Sequence, residues 1–163
     1  MSQTAADASS TAGDPAAPDR VVVGFDGSPG SHLALRWAAR EAQRRRAPLQ
    51  VISAWEKRGD SDLDPADEHA EVAAERIQRA LKAILLEGVQ LERVSYATSR
   101  GPAGPVLLEA AAGADLLVIG TTGLEAKQSP GRVSLYCLQH ARIPLAFVPS
   151  SWHGLGGPDP GSG

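Results

Sequence analysis

Five short apolar segments, each followed by a stretch with helical periodicity, constrain this chain more than anything else in it. The apolar segments fall at residues 20–25, 49–55, 89–97, 116–120 and 145–149. The first contains Val21-Val22-Val23, a β-branched run that suits a pleated, buried surface. Between them the spacing predicts four helices. One runs from Pro29 to about Arg46, with Ala34, Leu35, Ala38 and Ala42 as its apolar stripe. A second starts at Asp64-Pro65, buries Ala73, Ile77, Leu81, Ile84 and Leu85, and stops at Gly88. A third covers 103–112 and is halted by Gly113, and a fourth covers about 132–141. The order is βαβαβαβαβ. Short apolar strands separated by amphipathic helices imply an α/β fold with a parallel sheet covered on both faces. Right-handed crossovers then prune the topology to a doubly wound sheet.

The chain has 163 residues, enough for a single domain with a sizeable core. Residues 20–150 are predicted to form that domain. Residues 1–19, rich in Ala, Ser, Thr and Asp, are expected to be a disordered tail, because they offer too little apolar surface to offset ordering entropy. Residues 151–163 are expected to be a flexible Gly/Pro-rich tail, with Trp152 resting on the domain at its base. The N-terminus has neither a basic region nor an apolar core of the signal-peptide type, and no apolar run approaches the roughly 20 residues that span a bilayer. One cysteine, Cys137, excludes an internal disulfide framework and fits a reducing cytoplasm. The formal net charge of −3 leaves no basic excess for a nucleic acid backbone.

The functional signal is concentrated between Asp115 and Pro149. An apolar strand ends in Gly120-Thr121-Thr122-Gly123, a polar loop follows, and Gly131-Arg132-Val133-Ser134 opens a helix. Strand, glycine turn and helix start together present backbone N–H groups to a phosphate. A second glycine turn, Asp26-Gly27-Ser28-Pro29, follows the first strand, with Ser28 placed to cap the next helix and Pro29 at its first position. Ligands of doubly wound sheets bind at the carboxyl ends of the strands where strand order reverses. If the order is 3-2-1-4-5, that crevice lies between the first and fourth strands, and the two glycine turns meet there.

These residues resemble the universal stress protein family over about 20–149. VVVGFDGSPGS at 21–31, LQVISAW at 49–55, the Gly101-Pro102 turn, and ADLLVIGTTG through GRVSLYCLQHARIPLAFV carry the resemblance. It implies a five-stranded parallel sheet of order 3-2-1-4-5 with helices on both faces. It also implies a homodimer formed through the last strand, with Leu145, Phe147 and Val148 at the contact. An unpaired apolar edge strand is a physical reason for such pairing. Some members bind ATP, so the resemblance implies Asp26 near the ribose or a nucleotide-bound Mg²⁺, and Ala54 lining an adenine slot. Gly120, Gly123, Gly131, Arg132, Val133 and Ser134 would then surround the phosphates.

The nucleotide-binding members carry G-x2-G-x9-G-(S/T), and this chain departs from it twice. Seven residues, 124–130, separate Gly123 from Gly131, and Arg132 stands where Ser or Thr is expected. A strict count of nine would put Val133 and Ser134 at the last two positions, but that register loses the glycine and misaligns the helix. A missing hydroxyl alone removes about tenfold in phosphate affinity, and the shorter loop moves every remaining donor. Arg132 can offset part of this, because its fork suits phosphate oxygens. Two functions stand at this point. One is a stress-response interaction or sensor module with weak or lost nucleotide binding. The other is an ATP-binding sensor or slow ATPase, with ATP and Mg²⁺ as its cofactors.

Other chemistries find little support. Gly24, Gly27 and Gly30 have the spacing G-x-x-G-x-x-G rather than G-x-G-x-x-G, and no phosphate-binding P-loop motif occurs. His32, His69, His140 and His153 have no metal-ligand spacing. Cys137 lies on the apolar side of the last helix and reads as inert core, Ser134 has no base near it in sequence, and no catalytic residues are predicted. Arg44-Arg45-Arg46 reads as a helix C-terminus, where the macrodipole favours cations.

Overall fold

A computed structural model of the chain describes residues 20–56, 66–121 and 131–154, without the side chains of 66–68. β1 (Val21–Gly24), β2 (Leu49–Trp55), β3 (Val94–Arg100), β4 (Leu116–Gly120) and β5 (Leu145–Val148) pair in parallel in the order β3-β2-β1-β4-β5. The described helices are α1 (Pro29–Arg45), α2 (Ala66–Leu86), α3 (Ala103–Ala110) and α4 (Arg132–His140). This is the expected doubly wound sheet, with α1 and α2 on one face and α3 and α4 on the other.

The central strand shows why the chain folds this way. Val21 and Val23 point into the layer built with Ala34, Leu35 and Ala38 of α1 and Ile77 of α2. Val22 points into the opposite layer with Leu107 of α3 and Cys137 of α4. A strand buried on both faces has no polar side to alternate with, so it reads as an unbroken apolar run. Each fully buried valine contributes on the order of 1.5–3 kcal/mol relative to exposure.

Helix α1 is delimited as its sequence predicts. The Ser28 hydroxyl accepts a hydrogen bond from the Ser31 N–H at 3.2 Å, and Pro29 occupies the first turn. At the other end Arg46 adopts φ 54°, and its N–H closes the last turn on the carbonyls of Ala42 and Gln43. Arg44 and Arg45 clamp the buried Glu41 carboxylate at 2.6 and 2.7 Å. The arginine run is therefore in part a local ion-pair cluster.

Two expectations need correction. The third strand does not begin at Val89. Val89 packs in the core, but pairing starts at Val94, which stands opposite Leu49. An apolar side chain in a connecting loop satisfies the same core as one in a strand, so residues 89–92 precede the ladder, which opens where the Leu49 N–H donates to the Arg93 carbonyl at 2.9 Å. Leu85 is 50% exposed rather than buried. It lies at the margin of the Ile77-Leu81-Ile84 stripe, where a helical step of about 100° per residue turns it toward solvent.

β1 is flanked by β2 on one side and β4 on the other, with Val21 opposite both Leu49 and Leu116. The chain leaves β1 toward α1 on one face and leaves β4 toward α4 on the other. That divergence opens a crevice above the carboxyl ends of β1 and β4.

Candidate functional site

A cleft of about 140 Å³ occupies this crevice. Its apolar floor comes from Phe25, Ile52, Leu107 and Ile119, and Asp26, Ser28, Ser31 and Ser134 supply polar groups around it. Asp26, Ala54, Gly120, Gly131, Arg132, Val133 and Ser134, predicted from four separate stretches of sequence, all line this one cleft. Gly123 and the loop 124–130 lie outside the described residues.

Helices α1 and α4 both point their N-termini toward the cleft, and they end differently. α1 satisfies part of its own first turn, with the Ser28 hydroxyl on the Ser31 N–H and Pro29 contributing no N–H at all. α4 has Gly131 at its N-cap, which has no side chain to cap it, and among the described residues no side-chain cap is made. Its first regular helical bond is donated by the Leu135 N–H to the Gly131 carbonyl at 3.0 Å. The N–H groups of Arg132, Val133 and Ser134 precede that bond and have no partner inside the helix. Combined with the positive end of the helix dipole, they make α4 the end suited to an anion.

Asp26 ends β1 at the mouth of the cleft. Its Oδ1 accepts a hydrogen bond from the Ser28 N–H at 2.8 Å, closing a tight turn whose apex, Gly27, has φ 83°. Partial burial pushes the carboxyl pKa up, but hydrogen bonds from Ser28 and Ser31 outweigh that and hold it below the ordinary aspartate value. Asp26 is therefore a carboxylate at neutral pH, able to accept from a sugar hydroxyl and unfavourable toward a phosphate placed directly against it.

Gly120 and Ser134 are tied together. Ser134 is buried, 2% exposed, and its hydroxyl lies 3.4 Å from the Gly120 carbonyl, to which it donates. That donation joins the start of α4 to the end of β4. Gly120 itself passes so close to α1 that a Cβ would sit 2.5 Å from the Gly30 carbonyl oxygen. Arg132 is exposed at the first turn of α4, and Val133 packs against the layer of Leu107 and Cys137. Ala54 is half-buried at the end of β2.

Sequence reasoning did not single out Ile52, Leu107 or Ala103 as site residues. Ile52 shares its side of β2 with Ala54 by the two-residue alternation of strands, so parity could have found it. Leu107 and Ala103 arrive on α3, and no sequence signal connects that helix to the cleft floor. Among the described residues no group of three His, Cys, Asp or Glu is placed to hold a metal ion. Cys137 is fully buried, and burial pushes its thiol up to about 11.

At the sheet edge, β5 pairs with β4 on one side. The Leu117 N–H donates to the Pro144 carbonyl and the Thr121 N–H to the Val148 carbonyl. In a parallel ladder alternate residues face alternate sides, so the backbone groups of Leu145 and Phe147 point outward. Leu145 and Phe147 are half-buried, whereas the Val148 side chain is buried in the layer under α1.

A family model described as "Universal stress protein family" matches residues 18–149. The chain is 31% identical over 134 residues to universal stress protein Rv2624c of Mycobacterium tuberculosis, covering 80% of this chain and 48% of that protein. The chain thus spans about half the length of the curated relatives it matches. A universal stress protein from Archaeoglobus fulgidus, solved in complex with dAMP, superposes with a TM-score of 0.59 at 25% identity, over 82% of this chain and 98% of that one. A universal stress protein solved in complex with cAMP has the same fold, with a TM-score of 0.68 at 23% identity over 83% of this chain and 100% of that one.

Proposed function

The chain belongs to the universal stress protein family, and on that premise we propose that it is a stress-response sensor module whose switch-point cleft binds an adenine nucleotide weakly, at the level of the nucleoside monophosphate. The N-terminus of α4, which no side chain caps among the described residues and which faces an apolar floor, carries this proposal. Phe25, Ile52, Ala54 and Leu107 offer a surface for the base. The Asp26 carboxylate suits a ribose hydroxyl. The N–H groups at the start of α4 suit one phosphate, with Arg132 at the mouth. Arg132 stands where the family motif has a Ser or Thr hydroxyl, and the missing donor keeps affinity low. The complex of the Archaeoglobus fulgidus relative with dAMP supports a monophosphate of this class. A Mg²⁺ ion would come with a longer phosphate chain, and Asp26 would be the carboxylate to meet it.

Calorimetric titration of the full chain with AMP and with Mg-ATP tests this. The two ligands should bind within a few-fold of each other, with Kd values of roughly 0.1–1 mM, or about −4 to −5.5 kcal/mol. Asp26→Ala should weaken both. Silence with both ligands into the millimolar range would overturn nucleotide binding. ATP binding a hundredfold tighter than AMP would overturn the monophosphate assignment.

The same proposal includes a homodimer through β5, formed by the outward backbone groups of Leu145 and Phe147 with their side chains, while Val148 braces the strand from inside. Placement in the cytoplasm rests on the single, buried cysteine, which suits a reducing compartment.

A further inference from the structure

On the α1–α2 face of the sheet a groove of about 370 Å³ runs between the two helices. Its floor is apolar, made by Leu33, Ala80, Ala83 and Ile84. Its walls are cationic, with Arg36 on α1 and Arg76 and Arg79 on α2, in a chain whose net charge is −3. Glu87 closes one end and is committed to Arg36 at 2.6 Å. Among the described residues Arg76 and Arg79 have no carboxylate partner. They sit three residues apart on one helix, where like charges repel. The Arg76 stem lies across Gly27, 3.6 Å from where a Cβ would be, so its position at the other end of the groove is held by the β1–α1 turn.

We propose that this groove docks an acidic, partly apolar segment of a partner protein. Charge complementarity and the apolar floor together select that occupant. Carboxylates relieve the repulsion between Arg76 and Arg79, and apolar side chains cover the floor. A bare phosphate would find no free helix N-terminus here, because α1 is capped by Ser28. From Arg76 to the end of α2 beside Glu87 is about 15 Å, which an extended segment of about five residues spans. The groove adjoins the nucleotide cleft at the Asp26-Gly27-Ser28 turn, and the proposal does not depend on nucleotide binding.

Fluorescence anisotropy on the full chain, with a labelled peptide of mixed Glu and Leu, tests it. Saturable binding should weaken as salt is raised, because exposed charges are screened within about 10 Å at 0.1 M. Arg76→Glu combined with Arg79→Glu should weaken binding at least tenfold, and a peptide with Gln in place of Glu should bind as poorly. Arg142→Glu, an exposed residue in the α4–β5 connection and outside the groove's lining, should leave binding unchanged. Circular dichroism should show both variants folded, since the substituted residues are exposed. The proposal is overturned by an absence of saturable binding at low salt, or by equal loss in the Arg142 variant. Equal affinity for a single-stranded DNA oligonucleotide at the same residues would overturn it too.

Discussion

Gly120 and Gly30 meet backbone to backbone, so closely that a Cβ on Gly120 would lie 2.5 Å from the Gly30 carbonyl oxygen and 2.7 Å from its carbon. The first glycine of the apparent phosphate motif is therefore required by the approach of α1 to β4, with or without a ligand. Neither neighbour can yield easily, because one is a strand end and the other the first turn of a helix. Gly120→Ala should destabilise the fold by about 1–3 kcal/mol, as overpacking does. Thermal melting without nucleotide checks this. An unchanged midpoint with weakened nucleotide binding would assign Gly120 to the ligand alone.

Glu41 links pH to stability. Burial pushes its pKa up, but hydrogen bonds and charge from Arg44 and Arg45 outweigh that and hold it below the ordinary glutamate value. A folded-state pKa below the unfolded one stabilises above the unfolded pKa and is lost as pH falls through the folded value. Glu41→Gln should cost about 1 kcal/mol near neutral pH, since Arg44 is largely exposed and screened. The difference from the parent should shrink below about pH 4. Denaturant melts at neutral and acid pH measure it, and a constant difference would place the effect in packing rather than charge.

Phe147 tests the proposed assembly. Its backbone groups face the free edge of β5, and its side chain is only partly covered by this chain. Phe147→Asp should convert a dimer to monomer in sedimentation velocity while leaving the circular dichroism spectrum intact. A dimer that persists would place the contact elsewhere.

Cys137 should report global unfolding. Its thiol is fully buried and pushed up to about 11, and it is the only cysteine in the chain. A thiol-specific disulfide reagent at about pH 8 should react slowly with the native protein and completely once denaturant unfolds it. Fast labelling without denaturant would mean that α4 opens locally.

The sequence by itself determined the α/β class, the order of elements and the two glycine turns, because the period of apolar residues is a local property. Val21-Val22-Val23 declares a strand buried on both faces, and Ser28-Pro29 declares a helix start, wherever they lie in space. The 3-2-1-4-5 order entered through the likeness of motifs and is what the sheet adopts. Tertiary structure decided the rest. Val89 belongs to the core without belonging to a strand, because burial and pairing leave the same apolar signature. Leu107 lines the cleft because α3 crosses under β1 and β2, a contact between residues far apart in the chain. Asp26 and Ser134 read as ligand groups in sequence, yet each already holds a backbone partner, Ser28 and Gly120. Hydrogen-bonding capacity is written in the residue type, but how much of it is already used depends on which backbone the fold brings within reach.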